Sequence, residues 1–214
     1  MKQMRWILLF LFLIAGASTA LAQADENGEL AMPSAVTGGP HQLVAKEHAS
    51  LDEQKERRAL QIFLQSIEKE IVGAAEAMPA DKYGFTPTDG EFKGVRTFGQ
   101  QVKHLAATNH ILAAVALGED PPSDAGDELG PEAVRNKTEI LDYLRGSFTH
   151  LGKAIDAIGD SDVKVKSSPI SPLTATQVTR LALIVESLMH SLNHYGQMVV
   201  YLRMNGVVPP ASRP

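Results

Sequence analysis

Apolar residues recur at three- and four-residue steps along four long stretches, and no segment alternates with the period of a strand. The first stretch carries Leu60, Phe63, Leu64, Ile67, Ile71 and Ala74, and the second Phe98, Val102, Leu105, Leu112 and Ala116. The third carries Leu141, Leu144, Phe148, Leu151, Ile155 and Ile158. The fourth carries Val178, Leu181, Val185, Leu188, Leu192, Tyr195, Val199 and Leu202. A stripe with this spacing lies on one face of an α-helix, so the pattern predicts four amphipathic helices. Ser50 with Glu53, Thr97 with Gln100, and Thr174 with Gln177 have the spacing of a capping box, in which side chain and backbone satisfy each other's free donors. Asn136 with Glu139 is a looser form of the same signal. Gly118, Gly159 and Gly206 are matching stops, the last followed by Pro209 and Pro210.

Mixed three- and four-residue steps suit near-parallel packing, so the fold class predicted is all-α, a four-helix bundle. The pattern leaves the order of up and down helices open. Helix four is apolar on every side from Leu181 to Val185, which a surface helix avoids. Either it runs through the centre of the domain, or part of its face is covered by a second subunit, so a homodimer is one expectation.

Composition adds the ends of the chain. Two basic residues, Lys2 and Arg5, precede an apolar run from Trp6 to Ala17 and the small-x-small signature Ala20-Leu21-Ala22. That run is too short to span a bilayer and reads as a cleaved signal peptide, residues 1–22. A Gly- and Pro-rich flexible leader is expected over 23–48, the bundle over 49–210 and a short tail over 211–214. Export to a periplasm or out of the cell follows, with no membrane span in the mature chain. Removing Lys2 and Arg5 leaves 18 basic against 25 acidic residues and moves the formal net charge from −5 to −7. A mildly acidic chain without basic runs argues against nucleic acid as a partner. Cysteine is absent, which excludes disulfides, lipoprotein anchoring, thiol nucleophiles and cysteine-based zinc sites.

The remaining candidate chemistry rests on histidine. His41 and His48 fall in or beside the leader, and His150 is flanked by polar helix positions, so all three read as solvated. His190 and His194 are four residues apart inside helix four, which puts two imidazoles on one face, able to chelate one ion. They continue a stripe of Leu183, Ser187, Gln197 and Tyr201, and buried polar groups at that density need partners. A metal with its surrounding hydrogen bonds supplies them; a hydrogen-bonded polar layer at an interface is the competing reading. The motif His-Ser-Leu-Asn-His lacks the glutamate of the zinc-protease motif. A third ligand must come from another helix. His104 shares a stripe with Thr97, Gln101, Thr108 and Ile111, while His110 falls on a different face; the stripe favours His104 without deciding the matter.

Two segments then carry a resemblance. Phe98-Gly99-Gln100-Gln101-Val102-Lys103-His104-Leu105-Ala106 resembles the helix-two motif of the DinB-like superfamily. His190-x-x-x-His194-Tyr195-Gly196-Gln197 resembles its helix-four signature, and the tail through Asn205-Gly206 and Pro209-Pro210 fits as well. The resemblance covers about residues 50 to 210. It implies a bundle of up-down-down-up type, commonly dimeric, with one divalent metal on three histidines, here His104, His190 and His194.

Three imidazoles leave positions open on a divalent metal, whereas a closed structural zinc site takes four protein ligands. The donor set suits zinc, nickel, iron or copper, and ligand type alone does not choose among them; zinc or nickel is the first expectation, iron or copper the next. The functions this implies are a metal-dependent hydrolase or a small-thiol transferase acting on a small-molecule substrate. The alternative is a non-catalytic metal- or ligand-binding or interaction module of the envelope. Export counts against small thiols, which are mainly cytoplasmic. Hydrolysis lacks an evident base, since no carboxylate is counted on the histidine stripe, although Glu186 is on the same helix.

Overall fold

The computed structural model describes residues 40–125, 128–159, 163–166, 168, 170–174 and 178–213, with side chains from residue 51 onward. The signal peptide expected over 1–22 and the leader up to residue 39 lie outside the described residues. The chain divides into two units, residues 1–43 and 44–214. Of the first, only the helical backbone of residues 40–43 is described. The second holds the bundle.

Four helices make it up: α1 (Pro40–Ala77), α2 (Phe98–Leu117), α3 (Lys137–Asp156) and α4 (Arg180–Met204). Two of the expected capping boxes start helices. Thr97 accepts from the backbone of Gln100 and Asn136 from that of Glu139, and both glutamine and glutamate reach back to the cap residue's own N–H. The other two are corrected. α1 begins at Pro40, so Ser50 lies inside a helix already formed. α4 begins after Thr179, whose side chain accepts from Ala182, and not after Thr174. At the end of α2 Gly118 takes φ +81°, the left-handed conformation that closes a helix at no steric cost to glycine.

Side-chain pairings give the directions. Gln61 of α1 donates to the Gly152 carbonyl and to Asp156 of α3, and Arg145 near the start of α3 pairs with Glu76 near the end of α1. Rising numbers meet falling ones, so α1 and α3 are antiparallel. Between α2 and α3 both numbers rise together, from Gly99 against Ile140 to His110 against His150, so these helices are parallel. Gln101 meets Gln197 and Arg180 meets the Ala116 carbonyl, so α4 runs against α2. The bundle is therefore up-down-down-up. Among the described residues the isolated bridge Lys164↔Thr179 is the only β pairing.

The core confirms α3 in full: Leu141, Leu144, Phe148, Leu151, Ile155 and Ile158 are all buried. α2 is the central helix. Ala106, Ala107, Ala113 and Ala116 are fully buried, and these small side chains let α2 be enclosed on nearly every side. α1 buries Leu60, Leu64, Ile67, Ile71 and Ala74 but leaves Phe63 60% exposed. The larger correction is in α4. Val185 and Leu192, expected in the core, are exposed, while Leu183, Ser187, Ser191, His194, Met198 and Tyr201 are buried. The polar stripe of α4 faces inward, toward the polar stripe of α2.

Candidate metal centre

Two neighbouring polar layers occupy the α2–α4 contact. In the first, the buried Asn109 accepts from Ser187 Oγ at 2.8 Å and Ser191 Oγ at 3.2 Å through Oδ1. Its Nδ2 donates to Ser147 Oγ at 3.4 Å, and Ser147 donates to the Leu144 carbonyl. This layer is satisfied by its own members. It is the hydrogen-bonded arrangement that competes with a metal reading of any buried polar stripe.

The second layer is different. His104, His190 and His194 each offer a ring nitrogen, and these three atoms lie within 4.8 Å of one another. The rings meet edge to face, with centroids 4.3 to 5.2 Å apart and planes crossed at 69° to 75°. His190 Nε2 and His194 Nε2 are 2.9 Å apart. Two nitrogens bound to one ion at about 2.0–2.1 Å each stand roughly this far apart. Meanwhile Nδ1 of His190 is buried with no hydrogen-bond partner among the described residues. Converging nitrogens and an orphaned one are features that the Asn109 layer lacks. The donor set fits a divalent ion, and the structure brings together the three histidines that the sequence proposed. It leaves out His110, which faces α3.

Electrostatics keep the imidazoles ready to donate lone pairs. Burial, reinforced by the neighbouring imidazoles and by Arg96, pulls His190 down to about 4 and His194 down to about 3. Burial also lowers His104, opposed by its hydrogen bond to Glu128. All three are neutral at pH 7, the form a metal requires.

Surrounding groups fix the ring orientations. His104 Nδ1 donates to the Glu128 carbonyl at 2.9 Å, with the Glu128 carboxylate 3.5 Å away, which leaves Nε2 free. Glu128 holds φ +64°, an unusual conformation for a residue with a Cβ, of a kind that costs about 1–3 kcal/mol. Gln101 contacts His194 Nδ1 at 2.6 Å and Gln197 Oε1 at 2.6 Å, and Gln197 in turn meets Asn193 at 3.0 Å. With the three amides of this chain turned together through 180°, the same contacts let His194 Nδ1–H donate to Gln101 Oε1. His194 Nε2 is then unprotonated and faces His190.

A cleft of about 780 Å³ opens beside His190. Its walls are mostly apolar, with Ile170, Leu173, Leu181, Val185 and Met189 among them, together with the carboxylates of Glu128 and Glu186. Among the described residues no lysine or arginine lines it. Glu186 corrects the expectation that no carboxylate joins the histidines: it precedes His190 by four residues, one turn away on the same face. The spacing could have revealed it. Glu128 had no such signal, because only the path of the α2–α3 loop carries it to His104.

A family model described as the DinB superfamily matches residues 64–198, from the middle of α1 to the last turns of α4. No curated protein matches the chain.

Proposed function

Because this chain belongs to the DinB superfamily and sets three neutral histidines beside an apolar cleft, we propose that it is a metal-dependent hydrolase of substrates with an apolar portion. The observation that carries the reading is the placing of His190 and two carboxylates on the wall of one cleft. His104, His190 and His194 would hold the ion, with zinc or nickel the first candidates among the metals that imidazoles suit. A divalent ion there supplies a Lewis acid with open positions for water and a carbonyl oxygen.

The chain's own groups supply the rest. Ile170, Leu173, Leu181 and Met189 take an apolar substrate segment and exclude water around it. Burial raises Glu186 above the usual carboxylate range, against a 2.7 Å hydrogen bond that its Oε2 accepts from Ser171. In this reading its other oxygen would take a proton from water and pass it to a leaving group. Glu128 holds His104 through its carbonyl.

Small-thiol transfer is the second reading, and Arg96 favours it. Its Nε is buried without a partner among the described residues, in a separate hollow of about 610 Å³ with Gln101, Gln197 and Tyr201. A cation there suits the carboxylate of a thiol cofactor. The test is metal analysis of untagged protein followed by turnover assays. Near-stoichiometric metal in the parent and none at this site in His190→Ala/His194→Ala is expected, with metal-dependent cleavage of acyl esters or amides. Turnover only with an added thiol would favour transfer. Metal without turnover of either kind would leave a binding protein.

Export and self-association belong to the same reading. Export is supported by the charge and hydropathy of residues 1–22. N-terminal sequencing of secreted material should begin at Gln23. A homodimer is supported by Leu192, Val200 and Met204, which expose apolar side chains along α4 outside the cleft. Leu192→Glu is expected to convert a dimer to a monomer in light scattering, and a parent that is itself monomeric would overturn the idea.

A further inference from the structure

The three-histidine centre stands between two hollows of different character. Along α4 the apolar cleft runs to His190 and Asn193, and the hollow of about 610 Å³ takes over at Gln197 and Tyr201. Along α2, which runs the other way, Gln101 lines the hollow and Thr108 and Leu112 line the cleft. His104 falls between those positions on α2, and His194 between Asn193 and Gln197 on α4. The α2–α3 loop repeats the order, with Glu128 on the cleft and Leu129 on the hollow. A molecule reaching from one to the other passes the imidazoles.

Charge sets the hollow apart. The half-buried Arg96 is the one charged residue among the described residues that line it. Its Nε is buried without a hydrogen-bond partner, and no acidic side chain pairs with it among the described residues. The neighbouring amides, by contrast, satisfy one another: Gln101 meets Gln197 at 2.6 Å and Gln197 meets Asn193 at 3.0 Å. The backbone of Arg96 is fixed, since the buried Tyr201 donates to its carbonyl at 3.0 Å and Thr97, the next residue, caps α2. A cation held in place and left unpaired costs free energy until an anion joins it, and the planar fork of arginine matches a carboxylate.

Arg96 also acts by its charge on His104, His190 and His194, so it lies close to the centre. A divalent ion on three neutral imidazoles would add positive charge beside it, and a carboxylate at Arg96 offsets both. One arginine with no second basic residue balances a single negative charge, as on a carboxylate, better than the double charge of a phosphate.

We propose that Arg96 is the carboxylate-binding residue of a bipartite substrate site, and that the substrate is an N-acyl amino acid. The apolar acyl chain lies in the cleft and the carboxylate on Arg96, which brings the amide between them to the histidines. The choice of an amide rests on the hydrolytic reading above; the carboxylate site does not. Hydrolysis joins the oxygen of water to the acyl carbon and breaks the C–N bond. Both water protons leave on the nitrogen, and the products are a fatty carboxylate and an amino acid.

Calorimetry on full-length, untagged protein, kept metal-free by a chelator so that nothing is cleaved, compares N-octanoylglycine with N-octanoylglycinamide. The two differ in the carboxylate alone. The acid is expected to bind about 10–100-fold more tightly, the worth of a charge-assisted hydrogen bond. Arg96→Gln is expected to remove that preference and Arg96→Lys to keep part of it. Equal binding of the two ligands, or a preference that survives in folded Arg96→Gln, would overturn the site. Should Arg96→Gln fail to fold, phenylglyoxal labelling of the parent with mass mapping decides the matter. Octanoylglycine is expected to shield Arg96 and octanoylglycinamide to leave it open, and equal labelling counts against the site. With zinc restored, cleavage of octanoylglycine to octanoate and glycine is expected, with kcat/KM about 10–100-fold lower in Arg96→Gln. Binding that depends on Arg96 without any cleavage would keep the carboxylate site and overturn the amide and the hydrolytic reading with it.

Discussion

At the scale of single residues, the first centre depends on groups that never touch a metal. Gln101 is buried and bridges His194 to Gln197, so it holds one ring while remaining outside the ligand set. Gln101→Leu keeps the volume and removes the hydrogen bond. A loss of about 10–100-fold in zinc affinity is expected, as for other partners behind a ligand, with competition against a chelator as the measurement. An unchanged affinity would mean that packing alone orients His194. Glu128 invites a different substitution. Its contact with His104 is made by the backbone carbonyl in a left-handed conformation, which glycine adopts freely. Glu128→Gly should therefore keep zinc bound, while any fall in turnover would report on the carboxylate.

Among elements, helix starts separate real caps from apparent ones. Thr97 closes a full capping box at the start of α2, so Thr97→Ala should cost about 1 kcal/mol in urea unfolding. Ser50 has the same spacing to Glu53, yet the backbone is helical from Pro40. Ser50→Ala should cost nothing measurable, since alanine is the better helix former inside a helix. A loss equal to that at Thr97 would put the true start of α1 back at Ser50. Both positions carry the same local signal. Only the length of chain recruited into the helix distinguishes them, and that depends on contacts beyond the motif.

Across the whole molecule, the buried histidines tie stability to pH. His104, His110, His150, His190 and His194 all have their protonation lowered by burial from an ordinary value of 6.5. The unfolded chain takes up protons around that value, while the folded chain refuses them down to about 4 at His190 and about 3 at His194. Stability of the metal-free protein is therefore full above about pH 6.5 and is lost as pH falls toward the folded values. The urea midpoint should drop between pH 7.5 and pH 5, and His194→Gln should flatten that drop. A midpoint independent of pH over this range would show that the imidazoles are not shielded as the fold requires. Local pattern was enough to determine four helices, the α3 core, two true caps and the pairing of His190 with His194, because each depends on residues within a turn or two of one another. Tertiary structure decided which face of α4 turns inward. Val185 and Leu192 look like core by hydropathy, but the centre is already filled by the small residues of α2, whose own polar stripe needs partners that only α4's polar stripe can give. It also decided that Glu128 reaches His104 and that His110 meets His150, contacts made across loops and between helices, where sequence separation carries no distance.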